Sequence, residues 1–79
     1  MRLDKYLKVS RIIKRRTVAN DACDAGRVCV NGKVAKASSE VKAGDIIEVK
    51  FGNKSTSLEV MMVQETVKKE QASEMYRLI

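Results

Sequence analysis

At 79 residues the chain holds one domain at most, with one small core and no room for a second domain or a large substrate cleft. Sixteen Lys and Arg against ten Asp and Glu leave a net charge of +6, which suggests a polyanionic partner, nucleic acid before an anionic membrane. No apolar run approaches the roughly 18 residues that span a bilayer, and two cysteines with no histidine exclude a four-ligand zinc site of N and S donors.

The chain opens Met1-Arg2-Leu3-Asp4-Lys5, with no apolar stretch before a cleavage site, so no signal peptide is expected and the cytosol is the expected compartment. Leu3, Tyr6 and Leu7 keep the i, i+3, i+4 spacing of an amphipathic helix, predicted over about residues 3–9. Asp4 lies in its first turn, where an acid suits the helix dipole. Arg2, Lys5 and Lys8 follow one another by a turn each and are expected to share a face. Ser10 to Arg16 reads as a connection with Ile12 and Ile13 turned inward.

Thr17 is the expected N-cap of a second helix, whose Val18, Ala19, Ala22 and Cys23 give a small apolar face suited to close packing. Gly26 fits the position just past its end. Cys23 and Cys29 read as small buried hydrophobes rather than a disulfide. Val28 to Val34 brackets Asn31-Gly32, the strongest short hairpin signal, since a type I′ turn needs positive φ twice. Ala43-Gly44-Asp45 is a turn into a strand over 46–51, and Gly52-Asn53-Lys54 a turn into a strand over 57–63. Ala72, Met75, Tyr76 and Ile79 predict a short amphipathic C-terminal helix from about residue 67. The class is α+β, with two N-terminal helices packed on a small, mostly antiparallel sheet. A single domain over 1–79 is expected, with a core motif over about 1–52 and the last strand and helix in 55–79.

Charge is distributed unevenly. Residues 1–16 hold seven basic residues and one acid, Asp4, which accounts for the whole excess; the later nine basic and nine acidic residues cancel. A solvated surface normally mixes signs. The run Arg11-Ile12-Ile13-Lys14-Arg15-Arg16-Thr17 falls between two helices, and the second helix's N-terminal N–H groups favour a phosphate beside Arg16 and Thr17. Arginine's planar fork suits phosphate oxygens. RNA-binding candidates are therefore Arg2, Lys5, Arg11, Lys14, Arg15, Arg16 and Thr17, with Asn31 and Lys33 at the hairpin tip in a secondary role. Tyr6 sits at a core spacing, and with so few aromatics the chain reads as a binder of RNA backbone and shape rather than of stacked bases. No catalytic constellation is present: nucleophilic catalysis has no histidine base, and Gly26, Gly32, Gly44 and Gly52 sit at separate turns rather than in a phosphate loop. No enzyme activity and no cofactor are expected. A module that targets a separate RNA-modifying enzyme, or a protein-interaction module with incidental charge, shares these features.

The ordered set Met1-Arg2-Leu3-Asp4-Lys5-Tyr6-Leu7, Lys14-Arg15-Arg16-Thr17, Gly26-Arg27-Val28-Cys29-Val30-Asn31-Gly32-Lys33 and Ala43-Gly44-Asp45 resembles the S-four RNA-binding domain with its αL motif. That domain is named after ribosomal small-subunit protein four. It is also part of pseudouridine synthases, tyrosyl-tRNA synthetases and a small heat-shock protein that binds free large ribosomal subunits. Over its full length, through Lys36-Ala37-Ser38-Ser39, Phe51-Gly52, Lys68-Lys69-Glu70 and Met75-Tyr76, the chain is similar to the stand-alone RqcP family of bacterial ribosome-associated quality control. The resemblance implies binding to large-subunit rRNA and to peptidyl-tRNA on split, obstructed large ribosomal subunits. It also implies support for the tailing factor RqcH, which adds alanine tails to stalled chains. It assigns rRNA contact to Arg2 and Arg16 and implies relatives that continue past Tyr76 with a charged tail; a monomer is expected.

Overall fold

The computed structural model describes residues 1–79. Helix α1 spans Leu3–Val9, as its spacing predicts, and buries Leu3, Tyr6 and Leu7. Helix α2 spans Arg16–Asp24 and buries Ala19, Ala22 and Cys23 against it. Gly26, at φ 76°, ends α2: its N–H donates to the Cys23 carbonyl (3.0 Å), and the Arg27 N–H donates to that of Ala22 (3.0 Å). This paired bond set is the Schellman motif, which needs the left-handed residue that glycine supplies without a Cβ penalty.

Five strands follow: β1 (Val28–Val30), β2 (Lys33–Val34), β3 (Ile46–Phe51), β4 (Lys54–Val60) and β5 (Tyr76–Leu78). They form one sheet in the order β2-β1-β3-β4-β5, with every neighbouring pair antiparallel. Asn31 (φ 53°) and Gly32 (φ 84°) make the predicted tight turn between β1 and β2. Val28, Ile47, Val49, Leu58 and Val60 turn to the buried face and meet the helices in a core that also takes Ile13, Val41 and Met75. Cys23 and Cys29 are buried thiols, and burial together with the charges of Asp4 and Asp24 pushes the Cys23 thiol up to about 11.

Three expectations are corrected. Thr17 does not cap α2: the cap lies two residues earlier, at Arg15, in extended conformation (φ −116°, ψ 131°) and with no side-chain cap bond. Thr17 lies exposed in the first turn, while Arg16 enters the helix where its side chain reaches Asp4. The last hairpin strand begins at Lys54 rather than Ser57, because Gly52-Asn53 alone closes the turn and Phe51 pairs with Lys54. It stops at Val60, since the Met61 and Met62 N–H groups turn to the Met75 carbonyl.

The C-terminal helix is also shorter, a 3₁₀ helix over Lys69–Met75, followed by β5. Ala72 and Met75, three apart and both buried, fit three residues per turn. Tyr76 and Leu78 then adopt the period of two that fills the open edge of β4.

Candidate nucleic-acid interface

The backbone around Arg2 is tied down. The Leu3 N–H donates to the Ser39 carbonyl (2.7 Å), the Asp4 N–H to that of Ala37 (3.2 Å), and the Val41 N–H to that of Met1 (2.9 Å). The terminal ammonium meets Glu40 at 2.9 Å, and Arg2 forms an isolated bridge with Glu40. Arg2 therefore leaves a fixed point rather than a fraying end.

Its side chain converges with that of Arg16 on one carboxylate. Asp4 is 1% exposed. It accepts from Arg2 Nε (3.2 Å to Oδ1) and Nη2 (3.3 Å to Oδ2), from Arg16 Nε (3.4 Å to Oδ2), from Asn20 Nδ2 (3.3 Å to Oδ2) and from the Lys5 N–H (2.8 Å to Oδ1). Burial raises the carboxyl's pKa, but the bonds from Asn20, Arg16 and the Lys5 N–H outweigh it and hold Asp4 ionised below its ordinary value. Both arginine side chains stay about half exposed, at 51% and 46%. The carboxylate holds Arg2 by Nε and Nη2 and Arg16 by Nε, which leaves the other terminal nitrogens of each guanidinium without a protein partner. Arg2, Asp4, Arg16, Thr17, Asn20 and Asp21 line a single shallow concavity. Two guanidinium groups held on one anchor and open on one side have N–H donors in an arrangement that phosphate oxygens would fit.

The other candidates divide. Lys5 pairs with Glu65, whose carboxyl is held below its ordinary value chiefly by that hydrogen bond and by the charge of Lys5. Lys8, expected on one face with Arg2 and Lys5, lies instead with Arg11 and Lys14 around a second concavity, completed by Val9 and residues 65–67. Arg15 is exposed at the start of α2. Asn31 and Lys33 stand at the β1–β2 turn, and neither lines a concavity with the N-terminal arginines. The Asn31 amide serves the turn: it donates to Asp45 (3.1 Å) and accepts the Ile46 N–H (2.9 Å). Tyr6 is core, fully buried, and its hydroxyl donates to the Met75 carbonyl at 2.7 Å. No helix is long and apolar enough to cross a membrane.

Sequence reasoning missed Asp4, Asn20 and Glu65 as members of this surface. For Asp4 a signal existed, since it is the one acid in a strongly basic segment. Glu65 is 60 residues away from Lys5 and carried none.

The S4 domain family matches residues 1–47. Over 78 residues the chain is 55% identical to the RQC P-site tRNA stabilizing factor of Halalkalibacterium halodurans, covering 99% of this chain and 89% of that one. Over 79 residues it is 53% identical to the Bacillus subtilis protein of the same name, covering 100% and 92%. Among solved structures, the trimeric heat shock protein 15 of Vibrio cholerae superposes with a TM-score of 0.91 at 29% identity, covering 100% of this chain and 81% of that one.

Proposed function

Since this chain belongs to the S4 domain family, in the branch of the RQC P-site tRNA stabilizing factors, we propose that it steadies peptidyl-tRNA on large ribosomal subunits obstructed by a stalled nascent chain. In this reading it binds large-subunit rRNA without catalysing a reaction, acts as a single copy, and supports alanine tailing by an RqcH-type factor. Arg2 and Arg16 grip an rRNA backbone, with Thr17 and Arg15 beside them. Lys5, Arg11 and Lys14 widen the RNA footprint, and Asn31 and Lys33 lie at its margin.

One observation carries the reading: both guanidinium groups hang from the buried Asp4 carboxylate and open into the same concavity. Had they lain on opposite sides of the molecule, no single RNA surface could meet both. The arginines are half exposed and pre-oriented, so they can take phosphate oxygens without reorganising.

The test is binding to purified large subunits across a salt series. Each phosphate contact adds roughly 0.7–0.9 to the slope of log affinity against log salt, so Arg2→Ala and Arg16→Ala each flatten it by about that amount. Unchanged slopes in both variants remove these residues from the contact. In cells, the same variants should lose alanine tails on a stalled-chain reporter. Turnover of rRNA by the protein alone would instead mark it as part of a modifying enzyme.

A further inference from the structure

We propose that Lys8, Arg11 and Lys14 form a second RNA-backbone site, distinct from the Arg2–Arg16 site, so that one molecule holds two RNA segments at once. This rests on the rRNA- and tRNA-binding reading above and adds to it the residues that hold the second RNA.

The two concavities share no lining residue. Lys5, from the middle of α1, is bound to Glu65 on the segment that leads from β4 to the C-terminal turn, and Glu65 lines the second concavity. Glu65 is the one acid there, and it is committed to Lys5. Lys8, Arg11 and Lys14 have no carboxylate within 4.0 Å. Three cations thus converge on one groove with no free counter-charge, an arrangement that costs repulsion until an anion enters. Thr66 adds a hydroxyl to the wall.

The backbone gives an independent sign. Arg11 sits at φ 63°, just past the end of α1, where its N–H donates to the Lys8 carbonyl at 3.0 Å. Glycine or asparagine ordinarily takes that left-handed position, and another residue there costs about 1 kcal/mol. Arg11 is exposed, so burial of its side chain does not offset the cost. The turn leaves the Arg11 side chain lining the same groove as Lys8 and Lys14. A row of separated cations suits successive phosphates of an RNA strand. The shortage of exposed aromatic side chains, with Tyr6 buried and Phe51 on the sheet, suits backbone contact rather than base stacking.

The test uses the full chain, purified large ribosomal subunits and deacylated tRNA, sedimented together through sucrose. Two variants are compared with the wild type: Lys8→Gln/Lys14→Gln, and the same with Arg11→Asn, which keeps a residue that tolerates positive φ. All substituted positions are exposed, and circular dichroism confirms the fold. The expected result is selective: tRNA retention falls about tenfold further than subunit binding, and its salt slope drops by about 1.5 in the double variant and about 2.4 in the triple, as two and three lost phosphate contacts require. The Arg2→Ala/Arg16→Ala variant loses subunit binding, and tRNA retention falls with it. In the groove variants, a parallel fall in both activities means one continuous surface and overturns the proposal. So does undiminished tRNA retention, including the case where only capture of the tailing factor is lost and the groove serves an acidic protein surface. A wild-type chain that fails to sediment with subunits refutes the rRNA-binding reading itself, before any variant is tested.

Discussion

Replacing Asp4 by Asn removes one negative charge from the anchor of the site while keeping its size. Asp4 accepts five hydrogen bonds, from four residues, at 2.8–3.4 Å. A bond to a charged group contributes about 1.5–3 kcal/mol when buried. The two arginines are half exposed, which reduces each to about 0.5 kcal/mol. The Asn20 and Lys5 N–H bonds keep about 1 kcal/mol of charge assistance between them, giving a loss near 2 kcal/mol in all. That is a large fraction of the roughly 4–12 kcal/mol expected for a domain of this size, and corresponds to about 10 °C in Tm.

The sign with pH follows from the depressed native pKa of Asp4. The stabilisation is complete above the unfolded carboxyl's value near ~4 and is lost as pH falls through the lower native value. Urea titrations of wild type and Asp4→Asn should therefore differ by about 2 kcal/mol at neutral pH and converge in strong acid. RNA binding adds a second readout. Both arginine charges persist in the variant, so the salt slope stays, while affinity drops several-fold because two side chains must now be ordered on binding, at about 0.5–1.5 kcal/mol each. A neutral-pH difference under about 0.5 kcal/mol, or one that survives unchanged in acid, would refute the anchoring argument.

Two further changes probe the scaffold behind the site. Tyr6→Phe removes the hydroxyl that joins α1 to Met75, but the Met61 N–H still satisfies that carbonyl at 2.8 Å, so denaturation should show a loss of only about 1 kcal/mol. Gly26→Ala has room, its Cβ lying 3.9 Å from Val34 Cγ1, yet at φ 76° it should cost about 1–2 kcal/mol by urea titration. Gly26→Asn should cost less, because asparagine accepts that conformation; equal losses would place the cost elsewhere.

The amino-acid sequence by itself determined what short-range rules govern. Leu3, Tyr6 and Leu7 define α1, Gly26 ends α2, and Asn31-Gly32 makes a tight turn, because each depends on neighbours within a few residues. The placing of all the excess charge in residues 1–16 is likewise a property of the chain. It marks the N-terminal segment, Arg2 and Arg16 included, as the candidate phosphate-binding surface. Residues 76–79 show where that legibility ends. Their spacing fits a helix, and only the open edge of β4, built 16 or more residues earlier, turns Tyr76–Leu78 into a strand. The site has the same division. Arg16 meets Asp4 across 12 residues and Lys5 meets Glu65 across 60, separations that no helical or strand period connects. Tertiary packing decided which cations share a concavity, because a side chain's partner is set by where the folded backbone returns, and charge alone does not choose among the acids it could meet.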